Sequence, residues 1–267
     1  MILVTGASGA LATLILDRLA GADVVAGSRS PAPGGRLVDF DRPDTLAKGF
    51  AGVDVLVFVS AGYAEDDVVL DRHGAVVDAA VEAGVRHVVY TSLVDSGAGL
   101  TIALAHRWTE ERLAAAPFDV TVLRNGLYAE IPASLVPAAA ASGVFAAPWG
   151  DGKLAVVARE DLADVAAAVA VNPADHVGRT YELEGVEAVG GQDIADLLTE
   201  ALGRPIAYRA TALADAWGLP GPRYQVAHTA SLFSNVNAGR LDLRPGDLPA
   251  LLAAPPRSAR AVIAGAV

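Results

Sequence analysis

Gly6, Ala7, Ser8 and Gly9 stand between a short aliphatic run, Ile2-Leu3-Val4-Thr5, and a helical pattern that opens at Ala10-Leu11-Ala12. Glycines spaced this way, after a strand and before a helix, suit the phosphates of a dinucleotide. Gly6 allows the tight turn, Gly9 leaves no Cβ in the path of a pyrophosphate, and Ala12 lets the helix pack close against the strand. The helix N-terminus then turns free amides and a partial positive charge toward the phosphates. On this reading Gly6, Ala7, Ser8, Gly9, Ala10 and Leu11 are cofactor contacts. The competing reading is a tight strand-to-helix turn with no ligand.

A second group of residues bears on which dinucleotide. An acidic residue at the end of strand two favours the free ribose hydroxyls of NAD. Here the strand ends Ala26-Gly27-Ser28-Arg29-Ser30-Pro31, with no carboxylate. Arg29 offers a planar cation suited to a 2′-phosphate, with Ser28 beside it, so NADPH is expected over NADH. The alternative is that Arg29 is a solvated loop residue. Asp39 is a candidate for the adenine amino group or, equally, a turn former in Asp39-Phe40-Asp41. Ser60, Ala61 and Gly62, at the end of strand four, are small enough for the backbone to approach the ribose and diphosphate. Tyr63 is expected to cover the adenine side or close the site. Thr91 and Ser92 end strand five, where a hydroxyl meets the nicotinamide ribose.

The elements that must position these residues follow from periodicity. Strand patterns at Ile2–Thr5, Asp23–Gly27, Arg36–Asp39, Val55–Ser60, His87–Thr91 and Val120–Leu123 alternate with helical spacing at Leu11–Leu19, Pro43–Phe50, Val68–Ala83 and Ile102–Ala115. That alternation predicts an α/β fold, a Rossmann-like doubly wound parallel sheet with helices on both faces. A smaller C-terminal α/β region for substrate is expected beside it. The predicted division gives 1–125, with 153–185 returning, to the dinucleotide domain and 126–152 with 186–267 to a substrate or lid domain. The late elements look too few for a core of their own. The chain has 267 residues, 53% hydrophobic and 19% charged, with net charge −11 and no cysteine. Such acidity argues against nucleic acid and anionic membranes, and the lack of cysteine excludes disulfides and thiolate catalysis. No apolar run reaches the roughly 20 residues of a membrane span, and no secretory leader is visible, so a cytoplasmic protein is expected. The scarcity of lysine, Lys48 and Lys153 alone, points to a GC-rich bacterial source.

With Thr5-Gly6-Ala7-Ser8-Gly9 and Arg29 in hand, the chain resembles the atypical short-chain dehydrogenases. Tyr90-Thr91-Ser92-Leu93, His106 with Thr109-Glu110, Leu123-Arg124-Asn125-Gly126 with Tyr128 and Glu130, and Gly150-Asp151-Gly152-Lys153 are similar to the NmrA-like branch. Within it the motif order is nearest to the type 2 NAD(P)H:quinone oxidoreductases. The resemblance covers most of the chain to about residue 190 and implies a cleft between a Rossmann-like domain and a smaller C-terminal one. It also implies quinone reduction with NADPH, although some members of the branch bind the dinucleotide only as redox sensors.

The main branch of short-chain dehydrogenases pairs a tyrosine with a lysine four residues on, which lowers the phenol pKa for proton exchange with a carbonyl. Neither Lys48 nor Lys153 stands four residues after a tyrosine. His106 and Glu110 occupy the matching helix and share one face. A quinone or similar conjugated aromatic acceptor needs less help, because it spreads the incoming charge itself and takes protons from water. His106 is then a candidate proton or hydrogen-bond donor, or simply a histidine bonded to Glu110 on an outer face; no third ligand nearby suggests a metal. Asn125, at the end of strand six, is a candidate partner of the nicotinamide carboxamide or the substrate, chiefly on the resemblance; otherwise Asn125-Gly126 is a turn. Tyr128 either stacks on the acceptor ring or packs a hinge. Lys153 either reaches the cleft or is solvated, and Asp151-Gly152 alone reads as a hairpin turn. Trp108 and Trp149 read as packing residues. Two functions remain: an NADPH-dependent reductase of a quinone-like small molecule, with a helix-face homodimer compatible with the fold, and a non-catalytic dinucleotide sensor. The missing tyrosine–lysine pair argues against an isomerase or epimerase.

Overall fold

A computed structural model describes residues 1–61, 64–94 and 99–267. In chain order the elements are β1 (Ile2–Val4), α1 (Ala10–Arg18), β2 (Val24–Ser28), β3 (Arg36–Leu37), α2 (Leu46–Phe50), β4 (Val55–Val59), α3 (Asp66–Glu82), β5 (His87–Leu93), α4 (Ala103–Ala114) and β6 (Asp119–Asn125). They continue with β7 (Leu127–Tyr128), α5 (Glu130–Ala133), α6 (Val136–Ser142), β8 (Val144–Ala147), β9 (Lys153–Val157), α7 (Arg159–Val171), β10 (Thr180–Leu183) and β11 (Glu187–Gly190). The last are α8 (Gly191–Leu202), β12 (Ala207–Ala210), α9 (Arg223–Asn237), α10 (Leu248–Leu251) and α11 (Ala259–Ala264). No helix among the described residues is long and apolar enough to cross a membrane.

Two compact units form. The first comprises Met1–Leu93, Leu104–Asn125 and Leu162–Tyr181. The large sheet has the order β10-β6-β5-β4-β1-β2-β3. Pairs β2–β3, β1–β2, β1–β4, β4–β5 and β5–β6 are all parallel. This is the expected doubly wound α/β sheet, and its central strands, such as Val55-Leu56-Val57-Phe58 and His87-Val88-Val89-Tyr90, are buried end to end as parallel strands must be. Helix α3 turns Val69, His73, Val76, Val77 and Ala80 inward, a helical repeat of core positions. Arg18 ties α1 to α7 through Asp164 at 2.6 Å.

The second unit comprises Val94–Ala103, Gly126–Asp161 and Glu182–Val267. Its strands form a three-stranded sheet, β11-β9-β7, and a two-stranded one, β12-β8. Strand β9 runs antiparallel to β11 and parallel to β7. The expectation of too few elements for a core fails here. Four short strands, β7, β8, β9 and β11, escaped the periodicity reading, and with them Phe145, Trp149, Leu154, Val156, Val189, Ile194, Leu198 and Val236 are buried. Trp149 packs on Phe145 with centroids 5.7 Å apart, the packing role expected of it. Pairing of β9 with β11 and β7 also keeps 153–161 in this unit, so the segment that returns to the first is 162–181 rather than 153–185. Residues 149–152 do not form a hairpin turn: β8 and β9 pair with different partners, and the link between them changes sheet.

Candidate functional site

Because β2, β1, β4, β5 and β6 run parallel, their C-terminal ends share one edge of the sheet. The order reverses between β1 and β4, the switch point where open α/β sheets take ligands. That edge gathers Gly6–Gly9 after β1, Ser28 and Arg29 at β2, Ser60 and Ala61 after β4, Thr91 and Ser92 in β5, and Asn125 ending β6.

In the glycine loop Gly6 adopts φ +63°, a left-handed conformation that favours glycine. A Cβ at Gly9 would lie 3.2 Å from the Gly6 carbonyl oxygen. The loop is held by Ala7 N–H on Gly27 O (3.0 Å) and Gly9 N–H on Gly6 O (2.8 Å). No side chain caps α1 at Gly9. The amides of Ala10, Leu11 and Ala12 have no partner within the helix and are presented at its N-terminus. Ser8 and Ala10 are exposed, whereas Leu11 and Ala12 are buried beneath them.

At the β2 end, Ser28 Oγ accepts the Ser30 amide at 3.2 Å and Arg29 is exposed. Asp39 Oδ1 accepts the Asp41 amide at 3.1 Å and its carbonyl accepts the Arg42 amide, which is the turn-forming role. Asp41 is gripped by Arg72 at 2.7 and 3.0 Å, and that pairing holds its carboxyl below the usual range. Gly62 and Tyr63 lie outside the described residues. Thr91 Oγ1 accepts the Ser60 amide at 3.1 Å, and His73 Nε2 accepts the Ala61 amide at 3.1 Å.

Of the two readings of His106, the bond to Glu110 on an outer face gives way: the residue is buried and meets Tyr90 instead. His106 Nδ1 is 2.9 Å from the Tyr90 hydroxyl, and the residue is 8% exposed. Burial drives its pKa down to about 4, against the opposing pull of Glu110. At neutral pH the ring is uncharged, so it offers a hydrogen bond rather than an imidazolium proton. Burial also pushes the Tyr90 phenol above its ordinary range. Glu110 instead accepts the Ser92 hydroxyl and a two-pronged bond from Arg124, Nη2 to Oε2 at 2.7 Å and Nε to Oε1 at 3.0 Å. Asn125 is a strand residue opposite Leu93, not a turn residue, and is 3% exposed. Its Oδ1 has no hydrogen-bond partner among the described residues.

Tyr128 and Lys153 belong to the second unit. Arg159 stacks on the Tyr128 ring, Cζ 4.9 Å from its centroid, and reaches Glu130 Oε1 at 3.8 Å. Lys153 opposes Gly190 in the β9–β11 ladder. Its Nζ is 3.8 Å from Asp193 Oδ2, which also accepts the Gly190 amide. Glu184, also of this unit, is 7% exposed, and burial raises its pKa to about 7, with Glu182 adding and Arg244 opposing.

Sequence reasoning missed His73, the tyrosine partner of His106, and the Ser92–Glu110–Arg124 bridge. The available signal was polar residues on inward helix faces: His73 among Val69, Val76 and Val77 on α3, and Thr109 between Ala105 and Leu113 on α4.

The edge fits a dinucleotide on its own chemistry. Uncapped amides and a left-handed Gly6 suit phosphates, hydroxyls stand at β5, and a buried carboxamide oxygen at β6 lacks a protein partner. Among known proteins, quinone oxidoreductase 2 of Escherichia coli is 34% identical over 229 residues, covering 80% of this chain and 79% of that protein. The crystal structure of an NADPH-dependent quinone oxidoreductase of E. coli complexed with NADPH matches at 30% identity and TM-score 0.90, covering 99% of each chain. A Citrobacter triphenylmethane reductase complexed with NADP(H) matches at 26% identity and TM-score 0.91, covering 100% of both. Residues 1–244 fit the sequence profile of the NmrA-like family, and the chain belongs to that family.

Proposed function

We propose that this chain is an NADPH-dependent oxidoreductase that passes hydride to a quinone or another conjugated acceptor. The observation that carries the reading is the single strand edge on which the glycine loop, Arg29, Thr91, Ser92 and the unpartnered Asn125 Oδ1 converge. The likeness to E. coli quinone oxidoreductase 2, a relative solved with NADPH, supports it. Residues Gly6 to Leu11 hold the diphosphate, Ser28 and Arg29 the 2′-phosphate, and Asp39 is the candidate on the adenine side. Ser60 and Ala61 pass beneath the ribose, as Gly62 is also proposed to do. Thr91 and Ser92 face the nicotinamide ribose, and Asn125 takes the carboxamide. The chemistry supplied by the bound nicotinamide is hydride transfer from C4. Tyr128 and Lys153 are candidates to position the acceptor, and His106 contributes a hydrogen bond from a neutral ring.

The absence of a tyrosine–lysine pair supports a conjugated acceptor over a simple ketone. In the reaction of a ketone a protein acid must meet a localised alkoxide; a quinone delocalises the charge and is protonated from water. The test is steady-state absorbance at the reduced-nicotinamide band, with NADPH or NADH and a panel of benzo- and naphthoquinones. Acceptor-dependent oxidation that prefers NADPH is expected. Tight NADPH binding without turnover on any acceptor would replace this reading with that of a dinucleotide sensor.

A further inference from the structure

We infer that His73 is a positioning residue for the dinucleotide: it holds the Ala61 amide and thereby sets the course of the strand-four rim. The inference rests on the reading above, in which the cofactor ribose and diphosphate lie along that rim.

The β4–β5 ladder ends at the pair Val59 and Thr91. Beyond it the amides of Ser60 and Ala61 have no strand partner, yet both are half-buried and must be satisfied. The Ser60 amide goes to Thr91 Oγ1 and the Ala61 amide to His73 Nε2. Two side chains from two other elements thus replace the missing ladder just past the C-terminal end of β4.

The bond to His73 has one permitted direction. The Ala61 amide can only donate, so Nε2 is the bare nitrogen and Nδ1 carries the proton. Nδ1 lies 2.8 Å from Thr109 Oγ1, which must accept, and the Thr109 hydroxyl passes its own hydrogen to the Ala105 carbonyl at 2.7 Å. Ala61, His73, Thr109 and Ala105 therefore form a chain in which every donor finds one acceptor. The histidine is 0% exposed and lies edge-on to Phe58, ring centroids 5.0 Å apart. An aliphatic side chain would fill that space without a polar group to satisfy. What it would not do is accept the Ala61 amide.

Two amide substitutions separate positioning from packing. In His73→Gln the carboxamide oxygen reaches as far as Nε2 and can accept from Ala61. In His73→Asn the carboxamide stops at the reach of Nδ1, serves Thr109 and leaves the Ala61 amide bare. NADPH affinity is read by nucleotide fluorescence, KM and kcat with a saturating quinone, and stability by thermal melting. The expected result is a Kd for NADPH about tenfold higher in His73→Asn and within about twofold of wild type in His73→Gln, with kcat at saturating NADPH little changed in both. Equal affinities in Asn and Gln, whether wild-type or equally weakened, assign His73 to packing alone and overturn the inference while leaving the proposed function standing. A wild-type protein that does not bind NADPH overturns both. If His73→Asn does not fold, Thr109→Val gives the answer, because it frees the ring to reorient without removing it. A Kd raised about threefold or more supports the inference, and an unchanged Kd refutes it.

Discussion

Asn125→Ala should separate folding from binding at a single residue. The side chain is 3% exposed, and its Oδ1 has no protein partner among the described residues. A buried unsatisfied acceptor costs the free protein about 1–3 kcal/mol. Truncation removes that penalty and leaves a small void of comparable cost, about 1 kcal/mol. The free variant should therefore unfold within about 1 kcal/mol of wild type, although a buried strand residue has been cut back. If Oδ1 is reserved for the nicotinamide carboxamide, the same change removes one hydrogen bond from the complex and weakens NADPH about tenfold. At a nucleotide concentration near 100 times the wild-type Kd, NADPH adds about 2.7 kcal/mol to wild type and about 1.4 kcal/mol to the variant, which then sits at only about ten times its own Kd. Urea unfolding with and without NADPH, followed by tryptophan fluorescence, measures both quantities. A free variant destabilised by more than about 2 kcal/mol, with the full increment from NADPH retained, would refute the reasoning and make Asn125 an ordinary core residue.

Arg29→Ala should raise the Kd of NADPH about 5- to 30-fold and leave that of NADH unchanged, the discount for its exposure included; equal losses for both nucleotides in a fluorescence titration would remove the 2′-phosphate role. Burial lowers the pKa of His73 to about 3 and of His106 to about 4. The unfolded chain takes up these protons below about pH 6.5 while the fold refuses them, so each histidine costs about 1.4 kcal/mol per pH unit as pH falls toward 4. Urea midpoints measured between about pH 7 and pH 5 should fall, less steeply in His106→Asn, and constant midpoints would contradict the buried neutral rings. Glu184 has the opposite sign. Its raised pKa of about 7 gives stability that is complete below 4.5 and lost as pH rises through 7. Glu184→Gln should therefore stabilise the protein by about 2 kcal/mol above roughly pH 8, and an unchanged pH profile would show that the carboxyl is not desolvated.

The first unit was legible because its signals are local. The run Ile2-Leu3-Val4-Thr5-Gly6 names a strand and its turn, and continuous apolar runs such as Val55–Val59 name buried parallel strands. Parallel pairing then carries every loop after a strand to the same edge, so the convergence of Gly6, Ser28, Ala61, Ser92 and Asn125 follows from topology. In the second unit the helices and β12 were legible, as at Gly191–Leu202 and Arg223–Asn237, but the other strands were not, for a physical reason. Leu127–Tyr128 and Glu187–Gly190 are too short to show a period, and they become strands only through β9, which pairs with both. Side-chain partners were the hardest to read. His106 and Glu110 do share a helix face, as their spacing requires, but the strands opposite decide what each meets. Tyr90 and Ser92, two residues apart on β5, share one face of the strand, one reaching His106 and the other Glu110.

Those partners also bear on the chemistry proposed. The helix that would carry a tyrosine and a lysine in a short-chain dehydrogenase carries His106 and Glu110 here, and the phenol beside it, Tyr90 of β5, is 0% exposed and driven away from ionisation by burial. Its neighbour His106 is neutral, and Glu110 is committed to Arg124 and Ser92. Glu110 of α4 pushes the Tyr90 phenol further from ionisation rather than toward it. Neither Tyr90 nor His106 is poised to exchange a proton at neutral pH. These groups fit the proposed use of acceptors that carry their own charge through conjugation. The Arg124–Glu110–Ser92 bridge fixes the Ser92 hydroxyl as a donor to Glu110, so in the proposed complex its lone pairs would accept a ribose hydroxyl rather than its hydrogen serve the substrate.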